Sequence, residues 1–454
     1  MGPDRAAKLV AVAAGLLFCC TARAEDFPVP RNAAPGVKYV GSRACASCHR
    51  GLYDAYIRTP MGRSMRRGND PGLLKQVPAA ATVHSSKLDR YFEVFQKDSN
   101  LYQSEYQRNG DELVFRSAHK LEYGIGSGIN GISFVVRRGN HLFQAPLSFY
   151  TRSGKWDLSP GYELADHGFS RPIHAACASC HSGRPSAVPE GTGLYRDPPF
   201  AELAIGCESC HGPGELHIAE QGKPPRSKSP ASIVNPARLP ARLAEDICMR
   251  CHQAGDTRIL QPGKRHSDFR PGTPLSQTLA IFKLAPDPQQ QSQPDLLEHH
   301  SAMSLSECYR ASSGKLSCLT CHNPHDAPKP ETVAEYYRAK CLTCHTGQSC
   351  TVPQERRAQQ TPANDCAGCH MPKRPVEEIA HSALTNHRIV RLPGQPLPER
   401  AFDHPDGSPP GLVYLNAPQD TRSASPSNTQ PAALTLLSAY GELMTRQPGL
   451  REPY

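Results

Sequence analysis

The chain is poor in the material of an ordinary 454-residue globular protein. Only 38% of its residues are hydrophobic, aromatics make up 7%, Trp occurs once, and mean hydropathy is −0.51. So thin an apolar supply argues against one large side-chain core. The apolar run at 9–19 is too short for an ordinary membrane span and no later stretch approaches the required length, so no transmembrane segment is expected. The net charge of +9 is scattered, with no basic run or basic helix face, and a nucleic-acid partner has no footing.

What the chain has instead is cysteine, histidine and proline: 18, 20 and 44 residues respectively. Fourteen of the cysteines fall into seven copies of Cys-x-x-Cys-His, at 45–49, 177–181, 207–211, 248–252, 318–322, 341–345 and 366–370. Random placement of this composition would give about 0.03 such strings. Two thiols three residues apart on one helical turn can each form a thioether with the two vinyl groups on one porphyrin edge. The next residue is then held beneath the iron as an axial imidazole. The covalent sites are thus Cys45 and Cys48, Cys177 and Cys180, Cys207 and Cys210, Cys248 and Cys251, Cys318 and Cys321, Cys341 and Cys344, and Cys366 and Cys369. The proximal ligands are His49, His181, His211, His252, His322, His345 and His370. Zinc sites and redox disulfides also use Cys-x-x-Cys, but neither needs a fifth-position His seven times over. The expected cofactor is haem c, seven per chain.

Residues 1–24 read as a secretory signal: Arg5 and Lys8, then the apolar run, then Ala22-Arg23-Ala24 as a cleavage site. Cys19 and Cys20 raise a lipid anchor as the rival, but Leu16, Leu17 and Phe18 before them are not the small residues such processing prefers. Export suits haem attachment, and a periplasmic, secreted or cell-surface protein is expected. Without 1–24 the charge is +7, from 48 Lys and Arg against 41 Asp and Glu. With about −1 from each oxidised haem, the holoprotein is expected near neutrality.

String spacing divides the chain into a first haem segment (25–80), an insert (81–165), a six-haem core (166–392), a Pro-rich linker (393–428) and a terminal helix (429–454). The insert reads as β. Aromatic and β-branched runs at 91–96, 101–108, 112–116, 132–137 and 141–150 are joined at Asn109-Gly110 and Gly139-Asn140 by hairpin turns. In the core, 242–247 and 333–340 read as short helices leading into strings, and 286–294 as an exposed Pro/Gln-rich loop. The terminal helix, 431–446, has Ala433, Leu437, Tyr440 and Met444 on one face. It would dock on the haem core, open a helical repeat, or hold the chain in a larger complex. The fold class expected is α+β with little regular structure: a helix- and loop-wrapped multihaem domain with a small antiparallel β insert near its start.

Thirteen histidines remain for distal duty, enough to saturate seven irons. His174, His217, His325, His381 and His387 lie nearest the strings and are the leading distal candidates. His84, His119, His141, His167, His299 and His300 form a weaker set. His266 and His404 read as solvated, and Met61 and Met65 as packing residues. Cys308 and Cys350, outside every string, are expected to form a disulfide in an oxidising compartment.

Several motifs resemble a known group. Residues 206–217, with Cys207 to His211 followed by Gly212-Pro213-Gly214-Glu215-Leu216-His217, 317–325, and 366–389 with Met371-Pro372-Lys373 and Asn386-His387-Arg388-Ile389, are similar to the cytochrome c-554 and hydroxylamine oxidoreductase superfamily. The segments 39–65, 125–128 and 156–162 resemble its branch often fused to tetratricopeptide repeats. The resemblance covers about 38–392. It implies closely packed, mostly bis-histidine haems. Enzymes of that group add one open haem for nitrite, hydroxylamine or a sulfur oxyanion, but there is no Cys-x-x-Cys-Lys string here. Single-electron transfer between redox partner proteins is the expected function, with an oxidoreductase acting on a small nitrogen or sulfur compound as the alternative.

Overall fold

The computed structural model describes residues 28–162, 165–189, 191–223, 230–285, 298–376, 383–398, 411–417 and 431–446. The export signal, residues 286–297, His381 and His404 lie outside the described residues.

The chain is α+β, with short helices and small antiparallel sheets. Ten strands come first: β1 (Met65–Arg67), β2 (Ala81–Ser85), β3 (Arg90–Lys97), β4 (Asn100–Asn109), β5 (Glu112–Lys120), β6 (Tyr123–Ile125), β7 (Gly131–Arg138), β8 (His141–Gln144), β9 (Leu147–Tyr150) and β10 (Lys155–Leu158). Strands β2 to β5 form a four-stranded meander. A second sheet has the order β1-β6-β7-β9-β10, with β8 also on β7. The run expected at 141–150 is split in two, because Pro146 has no N–H to give a ladder. Gly110 and Gly139 sit at φ 61° and 58° in the hairpin turns, backbone that a side chain would oppose.

The two sheets close on Phe92, Val94, Leu101, Phe134, Leu147 and Phe149, among others. The single Trp156 fills the middle, 5.2 Å from the Phe134 ring and 5.7 Å from that of Phe149, and its Nε1–H donates to Pro78 O at 3.2 Å. Buried Gln103 staples the sheets: its amide donates to Leu147 O at 2.9 Å and accepts from Leu147 N at 3.0 Å. The apolar residues missing elsewhere are therefore concentrated here, in a core of their own.

From 175 onward, helices of four to twelve residues carry the strings, with loops and four kinds of strand pairing between them. β11 (Arg184–Ala187) pairs β12 (Tyr195–Glu202). β13 (Thr257–Leu260) pairs β14 (Leu279–Leu284), β15 (Lys373–Pro375) pairs β16 (Ala383–Thr385), and β17 (Leu412–Tyr414) pairs β14. The segment expected as linker thus supplies a strand: 411–417 contains one Pro-free apolar run, and β14 offers it a free edge.

The last helix, Ala433–Arg446, packs on that sheet through Leu436, Ala439, Tyr440 and Leu443. Thr435 Oγ1 donates to Gln261 Oε1 at 3.0 Å, and Thr257 Oγ1 to Glu442 Oε2 at 2.8 Å. The buried stripe is rotated from the one expected, since Leu437 is 68% exposed. The reason is local: β14 presents Ala280 and Phe282, and only the 436/439/443 ridge is narrow enough at Ala439 to approach them.

Candidate haem-binding sites

Each string occupies or ends a helical turn. The helices are Ser42–Ala46, Ala175–His181, Glu208–His211, Ala241–His252, Cys318–Cys321, Val333–Cys341 and Cys366–His370. That turn puts the two thiols of a string on one face. The fourth string lies at the end of the longest of these helices. None of the sixteen described cysteines is in a disulfide.

The strings meet in an order that the chain order conceals. Cys45 of the first lies beside Cys207 of the third, Cys180 of the second beside Cys251 of the fourth, and Cys248 of the fourth beside Cys318 of the fifth. Cys210 of the third lies close to Cys248. Cys321 and Cys344 join the fifth to the sixth, and Cys341 and Cys366 the sixth to the seventh. The strings thus neighbour one another in the order first, third, fourth, fifth, sixth, seventh, with the second beside the fourth.

A buried carboxylate locks the first string to the third. Glu208, 2% exposed and inside the third string, accepts from Val40 N at 2.8 Å, Gly41 N at 2.7 Å and Gly214 N at 2.8 Å. Ser42 Oγ in turn accepts from Cys207 N at 2.9 Å. Gly212 follows at φ 72°, where a Cβ would stand 2.7 Å from Asn32 Nδ2, so the turn after His211 requires glycine.

Histidine rings face one another in pairs. His49 and His217 have ring centroids 6.3 Å apart with planes 14° apart; His211 and His325 are at 5.8 Å and 17°. His322 and His387 lie at 6.1 Å, His252 and His299 at 5.3 Å. Two imidazoles bound on opposite sides of one metal, with bonds of about 2.0 Å, place their centroids roughly 6.3 Å apart. The His49–His217 and His322–His387 pairs match the spacing of one metal held between them, while the His211–His325 and His252–His299 rings face each other at shorter range. His299 and His387 touch at 4.1 Å, too close for a metal between them, and so they face different partners.

The second ring nitrogens are also fixed. His211 Nδ1 donates to Val234 O at 2.7 Å and His370 Nδ1 to Val390 O at 2.7 Å. His387 Nδ1 donates to Thr385 O at 3.1 Å. A carbonyl can only accept, so the proton sits on Nδ1 and Nε2 keeps its lone pair, the second-shell pattern of metal-bound imidazole. Burial lowers the pKa of His211, His217, His252 and His322, and brings His387 to about 4, keeping these rings neutral.

Of the leading distal candidates, His217, His325 and His387 each meet a proximal ring. His381 lies outside the described residues. His174 caps the helix Ala175–His181 with its ring exposed. From the weaker set the structure brings in His299, whose sequence signal, a His pair opening a helix, did not separate it from its neighbour. His300 instead sits 3.2 Å from buried Glu245. His84 stacks on Tyr91 at 4.3 Å, His119 packs on Phe169, His167 meets Tyr162 edge-on, and His141 is exposed on β8. These four belong to the β insert and its exit, away from the strings. His266, expected in solvent, is half-buried by the second string, close to Cys180 and Arg258, and burial lowers its pKa. Met65 is core and Met61 lines the haem cavity. Cys308 and Cys350 are not bridged: Cys308 faces Cys321 and Cys344, while Cys350 lies by Cys366.

One cavity of 2880 Å³ runs through this region, several times the roughly 300–1,000 Å³ of a single-ligand pocket. The proximal histidines of six strings line it, and the second string reaches it through Ser179. Thiols on one side, neutral imidazoles facing in pairs and apolar walls between them fit haem c. Among the described residues no three His, Cys, Asp or Glu side chains converge as a metal-ion cluster.

Comparison with known proteins adds the following. Residues 311–350 match a family model described as "Doubled CXXCH motif", which spans the fifth and sixth strings. No curated protein matches the chain. Among solved structures, that of the outer cell wall cytochrome OcwA aligns with 16% identity and a TM-score of 0.48, covering 77% of this chain and 79% of that one. No helix among the described residues is long and apolar enough to cross a membrane. The doubled motif, set among further strings of the same kind, supports haem c binding and a multihaem c-type cytochrome.

Proposed function

We propose that the chain carries single electrons along seven covalently attached haems between redox partner proteins outside the cytoplasm. The observation that carries this reading is the unbroken succession of neighbouring strings, together with four facing imidazole pairs, two of them at the spacing of one shared iron. Haem supplies a one-electron iron couple, and two imidazoles on one iron favour a low potential relative to a methionine partner. The residues of the chain do the rest. His217, His325, His299 and His387 would be the second imidazole ligands of the haems attached at the first, third, fourth and fifth strings. The carbonyls of Val234, Val390 and Thr385 keep the ring protons off the metal-facing nitrogens.

On this reading electrons entering at the first string leave at the seventh, or the reverse, and the second string is a side branch at the fourth. The sheet domain packs beside the second string through Met65, Tyr123 and Val135 against Ala178, and the last helix covers the β13/β14 sheet. The resemblance to the cytochrome c-554 and hydroxylamine oxidoreductase superfamily, and an exported location, are parts of the same proposal.

Electron paramagnetic resonance of the oxidised holoprotein tests it, with carbon monoxide added to the reduced form and intact mass to count haems. Seven haems with low-spin signals at the four paired sites are expected. High-spin iron at the first, third, fourth and fifth strings would overturn the ligand scheme. A high-spin signal that shifts with nitrite or hydroxylamine would favour an oxidoreductase instead.

A further inference from the structure

Arg388 is among the most deeply buried side chains of the described residues, at 2% exposure, yet it lines the haem cavity. One arm of its guanidinium, Nη2, donates to Pro396 O, and its backbone N–H donates to Asn386 Oδ1 at 2.9 Å. The other arm, Nη1, is buried with no hydrogen-bond partner. Among the described residues no carboxylate forms an ion pair with it, and its charged neighbour is another cation, Arg310, which also lines the cavity. Arg310 in turn donates to Leu305 O at 2.5 Å and has no ion pair among the described residues.

A guanidinium keeps its charge at any ordinary pH. Buried and unpaired, with a second guanidinium beside it, such a charge is strongly unfavourable unless an anion is brought to it. The position says which anion. Arg388 follows His387, whose ring faces that of His322, and it precedes Val390, whose carbonyl accepts from His370. Ile389 N is tied to Ser306 Oγ at 2.8 Å, so this short segment is anchored between the fifth and seventh strings. A haem placed between His322 and His387 brings two propionate carboxylates into the same cavity.

We propose that Arg388, with Arg310 behind it, is the seat of a propionate of the haem attached at Cys318 and Cys321. The inference rests on the haem reading of the cavity. The free Nη1 and the geometry of a planar fork suit a carboxylate, and pairing the two charges would raise that haem's potential by holding positive charge near its iron. Arg388 is then a positioning residue: it touches the cofactor's carboxylate and acts on the iron through it.

The test uses the full-length holoprotein and the variants Arg388→Gln, Arg388→Lys and Arg310→Gln. Haem per chain is counted by intact mass, and potentials are measured by spectroelectrochemical titration. With Arg388→Gln, one haem in seven should fall in potential, its oxidised-to-reduced ratio rising roughly tenfold at fixed potential, which is about 59 mV for one electron. Arg388→Lys, which keeps the charge, should recover most of the shift, and Arg310→Gln should move the same haem less. Seven haems with every potential unmoved in Arg388→Gln would overturn the proposal while leaving the haem reading intact. Loss of haem from the wild-type fifth string would instead remove the haem reading. Should Arg388→Gln fail to mature, Arg310→Gln decides: an unmoved fifth haem there refutes the seat. A free small anion as the true occupant would show as a wild-type potential that moves with chloride or nitrite, and that outcome also counts against a propionate.

Discussion

Replacing His217 by Ala tests the pairing geometry most directly. The His49 and His217 rings are 6.3 Å apart and within 14° of parallel, the arrangement nearest the roughly 6.3 Å required by one metal between two imidazoles. Truncation removes one axial face and leaves a cavity-facing gap the size of an imidazole. The helix Glu215–Glu220 should stay in place, because Glu215 Oε2 accepts from Lys38 N at 2.9 Å and Glu220 pairs with Arg31. The change is therefore confined to one iron. One haem of about seven, roughly one-seventh of the Soret absorbance, should become high-spin and bind one equivalent of carbon monoxide when reduced. Added imidazole should restore the low-spin spectrum. The assay is carbon monoxide titration with electron paramagnetic resonance, at a haem content confirmed by mass. His84→Ala, at a ring stacked on Tyr91 in the β insert, is the control and should change nothing. A His217→Ala protein with its full haem complement, no carbon monoxide adduct and no high-spin signal would refute the assignment of facing rings to shared irons.

Other consequences are equally open to measurement. Glu208→Gln replaces a buried acceptor of three backbone N–H bonds by a group that must turn a donor toward one of them, and should cost about 2–4 kcal/mol. Urea unfolding and protease release of the segment around the first string would read the loss. Leu443→Ala should destabilise the docking of the last helix by about 2–4 kcal/mol, while Leu437→Ala, at a 68% exposed position, should be within about 0.5 kcal/mol of wild type in the same denaturation assay. Glu105 is buried, and burial raises its carboxyl pKa, with Asp166 adding to the effect and Arg90 opposing it. The folded chain then holds this proton more tightly than the unfolded one. Stability from this group falls as pH rises from the ordinary carboxylate pKa through the raised one. Glu105→Gln should therefore stabilise the protein at pH 7 and make no difference below about pH 4, by thermal unfolding across pH. An equal effect at both pH values would refute the burial argument.

The expectation of haem c attachment comes from the primary structure alone. A thioether pair followed by an axial imidazole needs three residue identities at fixed spacing, so the string itself names Cys45, Cys48 and His49 and their six counterparts. The β insert was legible for a similar reason: alternating runs and Gly110 and Gly139 are local signals, and the strands appear where the runs are, apart from the break that Pro146 imposes. What local signals cannot contain is the identity of partners across space. Nothing in the order of the strings announces that the first meets the third, because that contact is made by Glu208 and Ser42, residues of ordinary type whose value lies in three backbone N–H groups converging on one carboxylate. His299 and His300 are adjacent and chemically identical, yet only the helix they open decides that one ring faces His252 and the other Glu245. The charge of Arg388 is plain in the sequence, but its isolation is not. Burial and the absence of a counter-ion among its described neighbours are properties of packing, and they arise only once distant segments have been folded against one another.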